Sequence, residues 1–174
     1  MAPPSKCRAM TEKTKKISAL VADPSSHMAA LVAVMLRSLG IRNVEATIDL
    51  PRTAAELARH PYGLILIDEQ LGGDAGFAMI RKLRQTGTHH NRETPIIMMA
   101  SAPDARMIAA ARDAGVTEFL RKPFSAEHIG LRLEAIRKAP RAFVQAGEYA
   151  GPDRRRRTTP GTPARRASDK QTGG

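Results

Sequence analysis

The 174-residue sequence predicts an α/β fold, a (βα)5 doubly wound parallel five-stranded sheet with helices on both faces. Two observations predict it. Between residues 16 and 138, short apolar runs alternate with amphipathic stretches of helical periodicity, which is the order of elements in a parallel sheet. Several of the helical stretches also stop at or near a glycine, which commonly ends a helix.

The predicted strands differ in their pattern. Residues 17–22, 64–67 and 96–99 are almost continuously apolar, as expected for strands covered on both faces. Residues 43–48 alternate more, which indicates an edge strand, and 117–120 form a short fifth run. Five helices are predicted between and after them, at 28–39, 51–60, 77–87, 107–115 and 129–136.

The chain divides into a flexible N-terminus at 1–15, the βα domain at 16–138 and an arginine-rich C-terminal extension at 139–174. The extension is rich in glycine and proline and has no periodicity, so we expect it to be disordered when free. It carries +5 of the formal net charge of +11. A basic segment of this density favours an anionic partner.

Composition also bears on the compartment. Cys7 is the single cysteine, so no disulfide can form within one chain, which is typical of a reducing cytoplasm. Residues 1–16 are basic without an apolar core, unlike a signal peptide. No stretch approaches the ~18 apolar residues of a spanning helix. We therefore expect a cytoplasmic protein without membrane insertion.

Polar residues follow three of the predicted strands. Asp23, Asp68 and Lys122 stand at the ends of strands one, three and five, where the chemistry of an open parallel sheet gathers. Two carboxylates facing a lysine can hold Mg²⁺ and a phosphoryl group, with Asp68 as the nucleophile. Two simpler interpretations compete: Asp23 before Pro24 is a good helix N-cap, and Asp68 with Lys122 can be a plain ion pair.

Five stretches between residues 16 and 138 form a recognisable set: Leu20-Val-Ala-Asp23, Leu64-Ile-Leu-Ile-Asp68 with Gly76, Pro95-Ile-Ile-Met-Met99, Asp113-Ala-Gly-Val and Lys122-Pro123-Phe. In these stretches the chain resembles the CheY-like receiver domain of bacterial two-component response regulators. The resemblance implies a CheY/flavodoxin-like fold, phosphorylation of Asp68, contact of Lys122 with the phosphate and a cis bond between Lys122 and Pro123.

Three positions depart from the receiver pattern. Pro24 replaces the second acidic residue after strand one, Ala100 replaces the hydroxyl residue that ends strand four, and Phe119 is a switch aromatic without a hydroxyl. Ser101 is one place out of register and should point away. We therefore expect a weak or absent Mg²⁺ site at Asp23 and Asp68 and a degraded phosphate switch.

The extension contains two clusters in which arginines stand beside an aspartate. They are Asp153 with Arg154, Arg155, Arg156 and Arg157, and Arg165 and Arg166 with Ser168 and Asp169. A carboxylate is out of place against phosphates, but it matches the N1–H and N2–H donors of guanine, while an arginine fork matches O6 and N7. Each cluster could therefore read one guanine, with spare arginines for phosphates. The alternatives are an inert solvated tail and a nucleic-acid tail. The second is disfavoured by the scarcity of aromatic residues for base stacking.

A receiver followed by such clusters is similar to the CheY-like cyclic di-GMP effectors, the Cle proteins, and the spacing from Arg166 to Asp169 resembles that of cyclic di-GMP sites. The resemblance implies that the extension binds cyclic di-GMP. The loaded protein would then act at the flagellar motor switch, in motility or surface attachment, and be recruited to the motor or cell pole.

We therefore expect a signalling adaptor and not an enzyme, with the extension folding on cyclic di-GMP and docking near the fourth and fifth helices. Two alternatives remain. One is a single-domain response regulator phosphorylated on Asp68 by a histidine kinase, with an incidental basic tail. The other is a receiver that binds nucleic acid.

Overall fold

The computed structural model describes residues 17–154. Five parallel strands form one sheet in the order β2-β1-β3-β4-β5, which confirms the predicted fold class. The strands are β1 (Ser18–Ala22), β2 (Asn43–Thr47), β3 (Leu64–Asp68), β4 (Ile96–Ala100) and β5 (Glu118–Arg121). The alternating segment therefore lies at an edge of the sheet, and the apolar runs form the three central strands.

Five helices cover the two faces of the sheet. They are α1 (Ser26–Ser38), α2 (Leu50–Arg59), α3 (Asp74–Gln85), α4 (Ala105–Ala114) and α5 (Ala126–Lys138). The apolar residues of α1 and α5 pack with one set of strand side chains, and those of α2, α3 and α4 pack with the other. Because successive strand residues point to opposite faces, both sets must be apolar, which explains the continuous runs. No helix in residues 17–154 is long and apolar enough to cross a membrane.

The start of α1 shows that Asp23 is not the helix N-cap, contrary to one interpretation of the sequence. Its N-cap is Ser25, whose side chain accepts a hydrogen bond from the Met28 N–H. Asp23 lies two residues earlier, and its Oδ1 accepts the Ser25 N–H at 2.8 Å. Since Ser25 supplies the cap, the Asp23 carboxylate stays at the end of β1, and Pro24 lies between the two without being a helical residue.

The first part of the extension is folded, contrary to the predicted disorder. Strands β6 (Phe143–Ala146) and β7 (Tyr149–Pro152) form an antiparallel hairpin. Gly147 begins its two-residue turn with φ of 57°, a left-handed value that favours glycine. The hairpin packs against α3 and α4. It therefore shares the fourth helix with the predicted docking place of the extension and adds the third. Residues 155–174 lie outside the described part.

Two glycines allow β7 to approach the end of α4. Gly115 ends α4 with φ of 103°, and a Cβ there would lie 2.8 Å from Arg84 Cγ and 3.4 Å from the Ala150 carbonyl. A Cβ on Gly151 would lie 3.1 Å from Gly115 Cα. A side chain at Gly115 would press on Arg84, and one at Gly151 would press on Gly115. Glycine at both positions therefore permits the close backbone contact that fixes where the extension leaves the domain.

A buried arginine lies beneath the same contact. Arg84, on α3, has no exposed surface, and its guanidinium donates to the carbonyls of Gly115 (3.1 Å), Thr94 (2.8 Å) and Arg92 (2.5 Å). Burial lowers its pKa to about 10, with Tyr149 and Glu93 acting in the opposite direction, so it is charged at neutral pH. Its Nη2 has no hydrogen-bond partner within the described residues. Arg84 thus ties α3, the end of α4 and the segment before β4 into one support for the hairpin.

Candidate functional site

Three ionisable side chains meet at the carboxyl edge of the sheet. Asp23 follows β1, Asp68 ends β3 and Lys122 follows β5. Because these ends of parallel strands share one edge, residues far apart in sequence come together. The Lys122 ammonium donates to Asp23 Oδ2 at 3.1 Å and to Asp68 Oδ2 at 2.5 Å. The Lys122–Pro123 bond is cis.

The two carboxylates are almost completely enclosed, with 1 % of Asp23 and 3 % of Asp68 exposed. Their other oxygens accept backbone N–H groups, Asp23 from Ser25 at 2.8 Å and Asp68 from Gln70 at 2.9 Å. Burial alone lowers the pKa of Lys122, but the hydrogen bonds and charges of both aspartates outweigh it, so the pKa lies above its usual value. Lys122 therefore remains an ammonium throughout the neutral range.

The residues at this edge do not fit the magnesium site of a complete receiver. Within the described residues, no group of three or more carboxylate, histidine or cysteine side chains could hold a metal. Pro24 brings no ligand, and the Lys122 ammonium bonds one oxygen of each aspartate. Mg²⁺ demands near-octahedral oxygen coordination, and two carboxylates without a third supply too few protein ligands for it.

The other positions that depart from the receiver pattern lie at the end of β4 and within β5, as predicted. Ala100 is buried at the end of β4, and Ser101 is exposed. The Ser101 N–H donates to Glu69 Oε1 at 2.7 Å, which ties the segment after β3 to the segment after β4. Glu69 is not among the predicted site residues, although an acidic residue directly after Asp68 is a visible signal in the sequence. Phe119 packs partly buried on the side of α2, α3 and α4.

A groove of about 420 Å³ adjoins Lys122. It lies between β5 and the start of α5, and its lining residues are Leu120, Arg121, Lys122, Pro123, His128, Leu131 and Arg132. The titratable residues in this set are all basic in type, and Leu131 adds an exposed apolar side chain. The groove therefore offers a basic and partly apolar surface beside the carboxyl edge.

The start of the first arginine cluster is held at the end of α4. The Asp153 N–H donates to the Ala142 carbonyl at 2.8 Å, which extends the hairpin by one bond. Arg154 places its guanidinium 3.8 Å from the Tyr149 ring centroid and its Nη1 3.1 Å from Asp113 Oδ1. Of the predicted binding residues, the structure thus positions Asp153 and Arg154. The others lie outside the described part: Arg155, Arg156, Arg157, Arg165, Arg166, Ser168 and Asp169.

A second arginine–aromatic pair secures the other strand of the hairpin. Arg92 lies 4.6 Å from the Phe143 ring centroid and donates to Gln145 Oε1 at 2.7 Å. Gln85, at the end of α3, donates to the Glu148 carbonyl at 2.8 Å. These partners come from the receiver domain, so the hairpin is attached to it along both strands and at its turn.

Comparison with known proteins identifies the class. Residues 19–134 match the response regulator receiver domain, and the chain belongs to that family. Chemotaxis protein CheY-3 of Vibrio cholerae is 25 % identical, over 70 % of this chain and 92 % of that protein. The two-component response regulator PhoP of Pseudomonas aeruginosa is 28 % identical, over 63 % of this chain and 47 % of its own length.

Solved structures agree on the fold. The chemotaxis response regulator CheY4 of Vibrio cholerae superposes with a TM-score of 0.62 at 22 % identity, over 69 % of this chain and 98 % of that one. The family match ends at residue 134. The hairpin and both arginine clusters therefore lie beyond the part of the chain that defines the family.

Proposed function

We propose that this receiver is a signalling adaptor that binds cyclic di-GMP through its arginine-rich extension and then engages the flagellar motor switch. In this it is similar to the Cle proteins. The observation that carries the proposal is the hairpin, which fixes Asp153 and Arg154 on the receiver where the first cluster begins. A binding segment whose first residues are already oriented loses less conformational freedom when it takes up a ligand.

The chemistry of the clusters favours guanine over phosphate alone. Each cluster combines an aspartate with two or more arginines. The carboxylate accepts N1–H and N2–H, an arginine fork donates to O6 and N7, and further arginines neutralise phosphates. Cyclic di-GMP has two guanines and two phosphates, so two such clusters match its composition.

The carboxyl edge supports an input through the extension. Lys122 already neutralises part of the charge of Asp23 and Asp68, and the magnesium ligands are incomplete. Because Pro24 removes one carboxylate ligand, Mg²⁺ should bind weakly and the phosphate switch should respond poorly, which leaves the extension as the stronger candidate input. The basic groove beside Lys122 supplies a surface for the partner, and an acidic, partly apolar segment of the motor switch would complement it.

Calorimetry on the full chain tests the proposal. The wild type should bind cyclic di-GMP, and Arg154/Arg155/Arg165/Arg166→Ala should weaken binding by at least about 100-fold, because each lost fork removes roughly 1–3 kcal/mol. The matched control is Arg37/Arg59/Arg81/Arg106→Ala, which removes the same charge from exposed helix positions and should bind almost normally. No heat from the wild type, or equal binding of a generic dinucleotide, would overturn the proposal.

A second candidate function is phosphorylation of Asp68. It is favoured by the Asp68–Lys122 contact, since a lysine so placed could stabilise an aspartyl phosphate. On the primary proposal, incubation with a small phosphate donor and Mg²⁺ should label the wild type no more than Asp68→Asn. Stable labelling that depends on Asp68 would favour the second function instead.

A further inference from the structure

We infer that Asp113, Tyr149 and Arg154 form a guanine-stacking subsite on the receiver itself, at the C-terminal end of α4. The inference rests on the proposed function and adds a receiver residue, Asp113, and an aromatic residue, Tyr149, to the ligand site. Neither belongs to the arginine clusters.

The three side chains orient one another. The Arg154 guanidinium lies 3.8 Å from the Tyr149 ring centroid, a distance at which the cation contacts the face of the ring. Asp113 Oδ1 holds Nη1 of the same guanidinium at 3.1 Å. The ring constrains the guanidinium from one face and the carboxylate constrains it at one edge, so its plane is defined before any ligand arrives.

Tyr149 and Asp113, which orient Arg154, are held in place by the fold. The Tyr149 hydroxyl donates to the Pro152 carbonyl at 2.6 Å, which locks the ring along β7. Ala150, the next residue of that strand, is only 5 % exposed, because β7 packs against α3 and α4. Asp113 is carried by the last turn of α4. The subsite therefore lies on the C-terminal end of α4 and on strand β7, which packs against α3 and α4.

A nucleobase is the ligand that this arrangement suits. Arginine planes stack on base faces as well as on aromatic rings, and the Arg154 side chain remains 42 % exposed. With Nη1 bound to Asp113, Arg154 would contact the base through its face and leave edge recognition to other arginines. Asp113 is 51 % exposed, and its carboxylate can accept N1–H and N2–H, which guanine has and adenine lacks.

In the alternative role, Asp113 and Tyr149 compete with the ligand for Arg154 and so inhibit binding. Exposed ion pairs and exposed cation–π contacts are both weak, so they would restrain the extension only slightly. The same weak contacts are sufficient to orient a single side chain. The geometry therefore favours a subsite in which Asp113 and Tyr149 orient Arg154 for the base. Removing Asp113 or the Tyr149 ring should weaken binding in this role and strengthen it in the alternative one.

Calorimetry with cyclic di-GMP on full-chain variants separates them. Asp113→Asn keeps the size of a half-exposed side chain and should weaken binding about 3- to 10-fold, since it removes a charge that orients Arg154 and a carboxylate that accepts N1–H and N2–H. Tyr149→Leu should weaken it about 3- to 5-fold, because it removes the ring face that orients Arg154. Tyr149→Phe keeps the ring and should stay within about 3-fold of the wild type, because it loses only the hydroxyl contact to Pro152. Glu127→Gln, an exposed acid on α5, is the control and should not change binding.

A spectroscopic readout reports on the site directly. The chain has two tyrosines and no tryptophan, so in a Tyr62→Phe background Tyr149 is the single intrinsic fluorophore. A guanine placed at Arg154 should change Tyr149 emission saturably at the ligand concentrations that produce heat. Asp113→Asn should move that titration to higher concentration.

Each outcome decides one question. Weaker binding by Asp113→Asn and Tyr149→Leu, with Tyr149→Phe and the control near normal, supports the subsite. If the wild type binds but Asp113→Asn binds equally or more tightly, the subsite is wrong and the proposed function stands. If the wild type does not bind cyclic di-GMP, the proposed function is wrong and the subsite falls with it.

Discussion

Replacing Lys122 by methionine should lower the free energy of unfolding by about 3–5 kcal/mol, because it leaves two buried carboxylates without their counter-charge. Asp23 and Asp68 are 1 % and 3 % exposed and both bond the ammonium. Urea denaturation at neutral pH measures the change. The matched control is Lys138→Met, whose ion pair with Glu134 lies on the surface and should contribute less than about 1 kcal/mol.

The pH dependence of stability tests whether Lys122 stabilises the fold through its positive charge. In the wild type, the pKa of Lys122 lies above its usual value, so its contribution is complete below the pKa of an unfolded lysine and is lost as the pH rises through the folded value. Lys122→Met lacks this group. The difference in the free energy of unfolding between the wild type and the variant should therefore be constant through the neutral range and shrink as the pH rises through the folded pKa of Lys122. A difference that does not shrink at high pH would contradict the buried-pair account.

Replacing Arg84 by methionine should lower the free energy of unfolding by about 2–4 kcal/mol. The substitution keeps an apolar stem but removes the donors to the carbonyls of Gly115, Thr94 and Arg92, and each buried acceptor left unpaired costs roughly 1–3 kcal/mol. Relief of the buried charge, visible in the lowered pKa of about 10, offsets part of this loss. Arg81→Met, exposed on the same helix, should change stability by less than about 0.5 kcal/mol.

The Arg84 variant should also loosen the hairpin. Amide hydrogen exchange of Asp153, whose N–H bonds to the Ala142 carbonyl, would accelerate more than that of amides in β3, because the support beneath β7 is lost. Unchanged protection at Asp153, or equal destabilisation by Arg81→Met, would contradict the role given to Arg84.

The receiver fold and its polar edge follow from local sequence patterns. Continuous apolar runs identify strands buried on both faces, and the ends of parallel strands must share one edge, so Asp23, Asp68 and Lys122 can be brought together without coordinates. The interpretation of Asp23 as the N-cap of the first helix was wrong, because Ser25, two residues later, is also a capping residue type. The structure decides between them, since Ser25 bonds the Met28 N–H and Asp23 bonds the N–H of Ser25 itself.

The hairpin could not be predicted in the same way. Its strands are four residues each, and glycine and proline in β7 are typical of a loop. Its stability comes from contacts distant in sequence, such as Gly151 against Gly115, and Gln145 with Arg92. The signals available were Gly147 between two short segments and two aromatic residues near their ends. Asp113 looked like part of the receiver pattern, and nothing local related it to Arg154.

The most direct test of the central claim is to replace Asp153 and Asp169 by alanine and titrate the full chain with cyclic di-GMP at two salt concentrations. A guanine reader loses carboxylate contacts with N1–H and N2–H, so affinity should fall about 10-fold or more. A mere polyanion binder loses two repulsive charges instead and should bind more tightly, above all at low salt. Weaker binding by the variant is the predicted result. Binding that is tighter and strongly salt-dependent would contradict the account.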